Sequence, residues 1–306
     1  MDLSGLMEVE GQVAKSKSTQ GESDLEHSTL ELGLEHKLNK QLDLEVVFLY
    51  EEGEGDGGQV DQALVRFNEL SLPVEIVLGL QYLPFGSFSS NLINDPLTLE
   101  LAETSQAAVN VHSTGLPINL GLALYKGAIE HTDTEWQPDW TFYTEYTTQN
   151  LLDISINAYL SSELVNSNAL SELVSDEILS ERIPGGGIAI QFAHRNNSLD
   201  LECITATAQF KTGIFTNQKP SACHFEYAYE FAETAKNWTV ALGYSSSQDA
   251  FILELPENRA SVGISASVMQ NVSMGFELLS EKDYGINQGG TGERTQAAVA
   301  QIGIEF

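Results

Sequence analysis

The sequence has 306 residues and a formal net charge of -30, with 44 acidic side chains against 14 Lys and Arg. This balance excludes a nucleic-acid-binding surface, which needs a basic patch. No apolar run approaches the roughly 18 residues of a membrane-spanning helix. Two cysteines without a CxxC spacing indicate neither a metal site nor a redox motif.

From the N-terminus onward, apolar and polar residues alternate with the period of two that is typical of β-strands. In residues 42–50, Leu44 and Val46 share one face of a predicted strand, whereas Asp43 and Glu45 share the other. No secretory signal precedes the first strand, and we expect that an export signal has been removed. The alternation predicts sixteen strands, at residues 5–14, 28–36, 42–50, 61–69, 74–82, 106–112, 118–128, 139–147, 151–160, 187–194, 199–210, 222–232, 238–246, 260–268, 272–282 and 294–306.

The connections between these strands alternate between short turns and long loops, as in outer-membrane barrels with short periplasmic turns and long external loops. The count of sixteen requires that residues 97–103 belong to the third long loop, at 84–104, because a strand there would break the alternation. Residues 161–184 form the longest connection and carry a pattern that predicts a short surface helix. The sequence therefore predicts an all-β protein, a transmembrane antiparallel β-barrel of sixteen strands that forms a single domain over residues 1–306.

A pair of soluble β-sandwiches is the alternative fold, since sandwich strands also alternate. Their apolar faces point into a dry core, however, and their strands are usually shorter. The last predicted strand favours the barrel because it ends on Phe306, as closing strands of such barrels place an aromatic residue at the periplasmic interface.

The polar faces of the predicted strands carry many acids and few bases. Sixteen strands leave a water-filled lumen, and acidic rings in a narrow pore favour cations over anions. The alternative is that these acids only hydrate a wide lumen. Glu8, Glu10 and Glu202 share the inward positions, and Arg66 is the clearest inward base. The predicted pore-lining residues are Glu31, Glu35, Asp43, Glu45, Arg66, Glu75, Asp153, Asp200, Glu226, Glu230 and Glu277.

The long connection at residues 84–104 is the candidate constriction. The alternative is an ordinary external loop with an Asn-Asp-Pro turn. Its polar candidates for narrowing the pore are Asn91, Asn94, Asp95, Thr98, Glu100 and Glu103.

Residues 79–104, GLQYLPFGSFSSNLINDPLTLELAET, together with VRFNEL at 65–70, resemble outer-membrane porins of the family first described as receptors for the siderophore legiobactin. In that family a strand with Gly-x-Gln-Tyr leads into a Pro-Phe-Gly loop and an Asp-Pro-Leu-Thr-x-Glu segment. The resemblance covers about an eighth of the chain. It implies an outer-membrane channel whose third loop folds inward, and ferric-siderophore passage as a property of the family.

The remaining motifs do not indicate a metal site or a catalytic site. The Gly- and acid-rich stretch at 51–58 lacks the ligand spacing of an EF-hand, and the six histidines show no HxH or HExxH spacing. No nucleophile elbow is present, so we expect no metal, no cofactor and no enzymatic activity. Cys203 and Cys223 lie on consecutive predicted strands, and the inferred register separates them by several residue pairs. We therefore expect free thiols, because a disulfide needs Cα atoms within about 7 Å.

Two classes of function remain open for a barrel in the outer membrane of a Gram-negative bacterium. The first is a porin for passive diffusion of small hydrophilic solutes with a preference for cations. The second is a non-conducting structural or partner-binding barrel whose acidic loops bridge lipopolysaccharide cations. The expected partners are membrane lipid, lipopolysaccharide and small solutes or cations, without nucleic acid. Porins of this size are often trimers, so a homotrimer is one expected assembly.

Overall fold

A computed structural model describes residues 1–16, 22–24, 28–52, 57–129, 137–149, 152–174, 179, 181–211, 213–233 and 236–306. In this part of the chain, sixteen strands of eight or more residues and one three-residue strand form a single sheet. The described α-helices are α1 (Leu97–Ala102) and α2 (Asn168–Leu173). In chain order the strands are β1 (Asp2–Lys15), β2 (Glu22–Asp24), β3 (Ser28–Asn39), β4 (Leu42–Glu51), β5 (Gln59–Phe67), β6 (Val74–Tyr82), β7 (Ser105–Ser113), β8 (Ile118–Tyr125), β9 (Asp139–Gln149), β10 (Asp153–Ser161), β11 (Gly185–His194), β12 (Asn197–Ala206), β13 (Ser221–Glu233), β14 (Lys236–Gln248), β15 (Asn258–Met269), β16 (Val272–Lys282) and β17 (Arg294–Glu305).

The sheet closes on itself through β1. Residues 6–15 of β1 pair with 296–305 of β17, and residues 2–9 pair with 28–35 of β3. Every other long strand is antiparallel to its sequence neighbours. The short β2 adds a pairing along residues 12–14. The predicted closed sixteen-strand barrel is therefore confirmed.

The apolar faces of the strands point outward. Phe225 and Phe276 keep 41% and 45% of their surface exposed, whereas Glu226 and Glu277, which follow them, are 0% exposed. Reversal of these exposures would have indicated a soluble sandwich core. A belt of exposed Leu, Ile, Val and aromatic side chains around a closed barrel requires an apolar solvent, which is the hydrocarbon of a membrane.

Short turns join the strands at one end of the barrel. Arg195 in the two-residue turn between β11 and β12 has φ 55°, and Asn271 between β15 and β16 has φ 61°. Positive φ is what tight hairpin turns require. Among the described residues, no helix is both long and apolar enough to cross a membrane.

The expected free thiols are wrong. Cys203 on β12 and Cys223 on β13 lie directly opposite each other in the register, with Cα atoms 4.1 Å apart, and form a disulfide. The error lay in the predicted strand 199–210, since β12 ends at Ala206. Phe210, which the predicted strand included, instead packs inside the barrel mouth with its ring centroid 5.2 Å from that of Phe215.

The two helices lie inside the barrel rather than on its surface. Residues 97–102 form α1 in the connection between β6 and β7, and Leu97 and Leu101 are 0% exposed. The predicted surface helix within 161–184 is α2, but Leu170 on it is also 0% exposed and packs in the same apolar cluster as α1. The amide of Asn168 donates to the carbonyl of Glu103, 2.8 Å away. These contacts place an apolar core inside one side of the barrel mouth.

Candidate functional site

All eleven predicted pore-lining residues occupy the strand face opposite to the lipid-exposed one, but they divide into two groups. Glu31, Glu35, Asp43, Glu45, Arg66, Glu75, Asp153 and Glu230 are partly or well exposed. Asp200, Glu226 and Glu277 are buried, with 8%, 0% and 0% exposure. Burial on an inward face means that something inside the barrel covers these three carboxylates.

The cover is the connection at residues 84–104, called here the inserted segment. Glu226 accepts hydrogen bonds from the amide and the side-chain Nδ2 of Asn91, both at 2.8 Å, and from the Ser90 hydroxyl at 2.7 Å. Glu277 accepts from the amides of Ile93 and Asn94, at 2.7 and 2.9 Å. Both carboxylates thus hold the segment's backbone and do not face open water.

Glu202 is a third anchor of the inserted segment. It accepts from the amides of Ser87 at 2.6 Å and Phe88 at 3.2 Å, and from the Thr98 hydroxyl at 2.8 Å. Hydrogen bonds to an ionised carboxylate are roughly twice as strong as neutral ones. The segment is therefore fastened along the inner wall of β12 to β16.

Arg259 is a site residue that the sequence analysis missed. Its guanidinium lies 2.7 Å from Glu100 of the segment and 2.6 Å from Glu281 on β16, and it donates to the Asp95 carbonyl at 2.8 Å. The predicted strand began one residue later, at 260, which left Arg259 in a loop. Extending the alternation by one position would have placed it inward.

The six constriction candidates have different surroundings. Asn91 and Asn94 bond wall carboxylates, and Thr98, which is 0% exposed, donates its hydroxyl hydrogen bond to Glu202. Asp95, Glu100 and Glu103 instead line a cavity of about 850 Å³. The cavity lies between the segment and the ends of β4, β5 and β6, with α2 beside it. Its other acidic lining residues are Glu51, Asp61 and Glu172, and its lining residues in the described chain include no Lys, Arg or His.

Burial and crowding of acids raise the pKa values of the segment's carboxyls. The pKa of Asp95 is raised by burial, against the opposing effect of Arg259. Burial likewise raises the pKa of Glu100 although Arg259 lies against it. The pKa of Glu103 is raised to about 7, first by burial and then by the nearby charge of Asp95. The charge at this part of the cavity therefore changes near neutral pH.

The wall opposite the inserted segment, at β4 and β5, carries more acidic than basic side chains. Arg66 lies 2.5 Å from Glu45, which compensates the arginine charge, and Asn68 donates to Asp43 at 2.6 Å.

A second cavity of about 640 Å³ lies between the segment and β9 to β12. Asp153 and Asp200 are its acidic lining residues.

In the described part of the chain, no group of three or more His, Cys, Asp and Glu side chains is arranged to hold a metal ion. His27, His131 and residues 53–56 of the acid-rich stretch lie outside the described residues.

Comparison with known sequences gives distant relatives, and no family model matches the chain. A UPF0422 protein of Coxiella burnetii is 26% identical over 268 residues, covering 81% of this chain and 57% of that protein. A UPF0422 protein of Legionella pneumophila (strain Lens) is 21% identical, covering 95% of this chain and 63% of that protein. The chain thus spans about three fifths of the length of the curated relatives it matches.

Solved outer-membrane proteins share the architecture at low identity. OprB of Pseudomonas putida has a TM-score of 0.66 at 11% identity, covering 99% of this chain and 93% of that one. DcaP, an outer membrane channel of Acinetobacter baumannii, has 0.63 at 11% identity, covering 100% and 96%. The trimer form of OmpT, an outer membrane protein of Vibrio cholerae, has 0.58 at 9%, covering 100% and 99%. The fold and the apolar belt place the chain in the outer membrane of a Gram-negative bacterium.

Proposed function

We propose that the barrel is a porin that lets small hydrophilic solutes diffuse across the outer membrane, with a preference for cations. The observation that carries the proposal is the open cavity beside the inserted segment, lined by six carboxylates. A lumen narrowed on one side and left wet on the other allows passage with selection by charge.

The preference for cations follows from the balance of inward charges. The two inward arginines, Arg66 and Arg259, each lie within ion-pair distance of a carboxylate. Their positive charge is thereby compensated, whereas Asp95 and Glu103 on the segment add negative charge to the cavity. The narrow region therefore carries a net negative potential, which raises the local concentration of cations.

Conductance across a planar lipid bilayer tests the proposal. The refolded chain is expected to give stable open steps in KCl, and a salt gradient is expected to give a reversal potential of the sign for K⁺ over Cl⁻. A reversal potential of the opposite sign would contradict the preference for cations, and the absence of conductance steps would contradict the proposed channel. The folded state is checked beforehand by its heat-modifiable electrophoretic mobility.

A non-conducting structural or partner-binding barrel is the second candidate. The apolar core formed by α1, α2 and their neighbours inside the mouth favours it, because such a core fills part of the lumen. In this case folded chains insert into the bilayer without current.

Ferric siderophores enter the proposal as a candidate solute through the resemblance of residues 65–104 to the siderophore-receptor porins. The acidic cavity disfavours the many ferric siderophores that are anionic. A titration with a ferric siderophore that changes neither conductance nor protein fluorescence would exclude this solute.

We further propose outer-membrane lipid and lipopolysaccharide as surroundings and a homotrimer as the assembly. The trimer form of OmpT is the finding that supports this assembly. Cross-linking in detergent, read against the mass of one 33.4 kDa chain, tests it.

A further inference from the structure

The inner wall contains three glycines that lie under the inserted segment. Gly243, Gly263 and Gly275 belong to β14, β15 and β16, at inward positions. A Cβ built on Gly243 would lie 2.4 Å from Cδ1 of Leu92, and one on Gly263 would lie 2.8 Å from its Cδ2. A Cβ on Gly275 would lie 3.1 Å from Cδ1 of Ile93.

Space, rather than backbone conformation, explains these glycines. None of the three has a positive φ, so each backbone could carry a side chain without strain. Glycine within a strand usually weakens it and marks a close approach of another group. Here the approaching groups are the side chains of Leu92 and Ile93. They reach the wall because three neighbouring strands each have a glycine, without a side chain, at the point of contact.

The three glycines leave a shallow depression in the inner wall, and the carboxylates that anchor the segment lie beside it. Glu226 bonds the amide of Asn91, and Glu277 bonds the amides of Ile93 and Asn94, so the anchored backbone brackets the two apolar side chains. Hydrogen bonds fix the backbone, and the depression accepts the side chains that point toward the wall. A side chain added at any of the three glycines would meet the end of the Leu92 or Ile93 side chain, so that side chain must rotate or, for a larger group, the segment must move.

We propose that Gly243, Gly263 and Gly275 form a seat for Leu92 and Ile93 that sets the position of the inserted segment and thereby the width of the pore. The glycines act as positioning residues: they touch the segment and not the solute. With Leu92 seated, the segment lies against β12 to β16 and leaves the side toward β4, β5 and β6 open. Filling the seat moves the segment into that opening.

Substitution of each glycine by alanine or valine tests the seat. Gly243→Val is expected to lower single-channel conductance by about twofold or more and to increase open-channel noise, because the displaced segment enters the pore. The alanine variants are expected to rank by the approach of the new Cβ, with Gly243→Ala above Gly263→Ala and Gly275→Ala least. Gly303→Val is the matched control, since Gly303 is an inward glycine on β17 whose Cβ would meet Ser273 and Glu8 instead of the segment.

The size swap Gly243→Val with Leu92→Ala is expected to restore conductance, which a general loss of barrel stability would not allow. Hydrogen exchange at the amides of Asn91, Ile93 and Asn94 gives a readout independent of current. Protection is expected in the native chain, lost in Gly243→Val and regained in the swap.

This inference rests on the proposed channel, but the two fail differently. A native chain that conducts no current removes the channel, while the exchange experiment still decides the seat. Glycine variants that match Gly303→Val in conductance and in amide protection, or a swap that restores neither, would overturn the seat.

Discussion

Glu103 lies near the end of the inserted segment, where burial and the charge of Asp95 raise its pKa to about 7. A carboxyl with this pKa is mostly protonated at pH 6 and mostly ionised at pH 8. The negative charge of the cavity therefore grows as pH rises through 7, and we expect the permeability ratio of K⁺ to Cl⁻ to grow with it. Reversal potentials at both pH values measure the change.

The substitution Glu103→Gln is expected to flatten this pH dependence and to keep the ratio at the lower value. Glu69→Gln serves as the control, because Glu69 is an exposed residue in the connection between β5 and β6 at the opposite end of the barrel. Equal pH profiles for native chain and Glu103→Gln would contradict the assignment.

Arg259 holds two carboxylates together, and its loss leaves both without a counter-charge. Removing one partner of a fully buried ion pair costs about 3–5 kcal/mol. Glu100 and Glu281 keep 31% and 25% of their side-chain exposure, so solvent screens part of this. We expect Arg259→Met to lower the free energy of unfolding by about 2 kcal/mol, measured as a lower urea midpoint.

Two further variants separate the causes of that loss. Arg259→Lys keeps the charge but not the forked geometry, so an intermediate midpoint is expected. Arg294→Met on β17 removes an exposed arginine and is expected to change little. A midpoint of Arg259→Met equal to that of Arg294→Met would show that the ion pairs contribute nothing.

At the level of elements, closure of the barrel and narrowing of its lumen depend on different parts of the chain. The strand ladder is continuous through β1 and β17 without any residue of the segment. Replacing residues 86–103 by a Gly/Ser linker of about eight residues is therefore expected to leave the barrel folded. Conductance is expected to rise and charge selection to fall, because the narrow region and three of its carboxylates are removed. An unchanged conductance in planar bilayers would indicate that the segment does not limit the pore.

The strand faces were predictable from sequence because lipid on one side and water on the other impose a period of two. Alternation of Phe225 with Glu226 and of Phe276 with Glu277 was enough to assign outside and inside. The register was less accessible, since the predicted strand 199–210 runs past the end of β12 at Ala206 and so misplaced Cys203 relative to Cys223.

The partners of the inward residues could not be predicted. Ser87 bonds Glu202 across 115 positions of sequence, and Ile93 bonds Glu277 across 184. Periodicity gives the direction of a side chain but carries no information about which segment will cover it. For the same reason Glu226 and Glu277 resembled pore-lining acids although they are anchors. That the chain is not an enzyme stays a prediction.

At the scale of the whole molecule, salt screens the excess of carboxylates that gives the chain its net charge of -30. Charge selection is therefore expected to depend on ionic strength. The Debye length falls from about 10 Å at 0.1 M to about 3 Å at 1 M ionic strength. Carboxylates on the wall then cease to act across the open part of the lumen. We expect the permeability ratio of K⁺ to Cl⁻ to decline over this range while conductance per unit of bulk conductivity approaches a constant. A ratio independent of salt would place the selecting charge in direct contact with the ion.

The covalent link between Cys203 and Cys223 has a practical consequence for anyone making this protein. Thiols pair in the oxidising periplasm and stay reduced in the cytosol. Chains recovered from cytoplasmic inclusion bodies therefore start as dithiols, and refolding into detergent needs an oxidant such as oxidised glutathione before crystallisation or electrical recording. Mass spectrometry of the purified barrel, read as a loss of two hydrogens, will tell whether a preparation has matured.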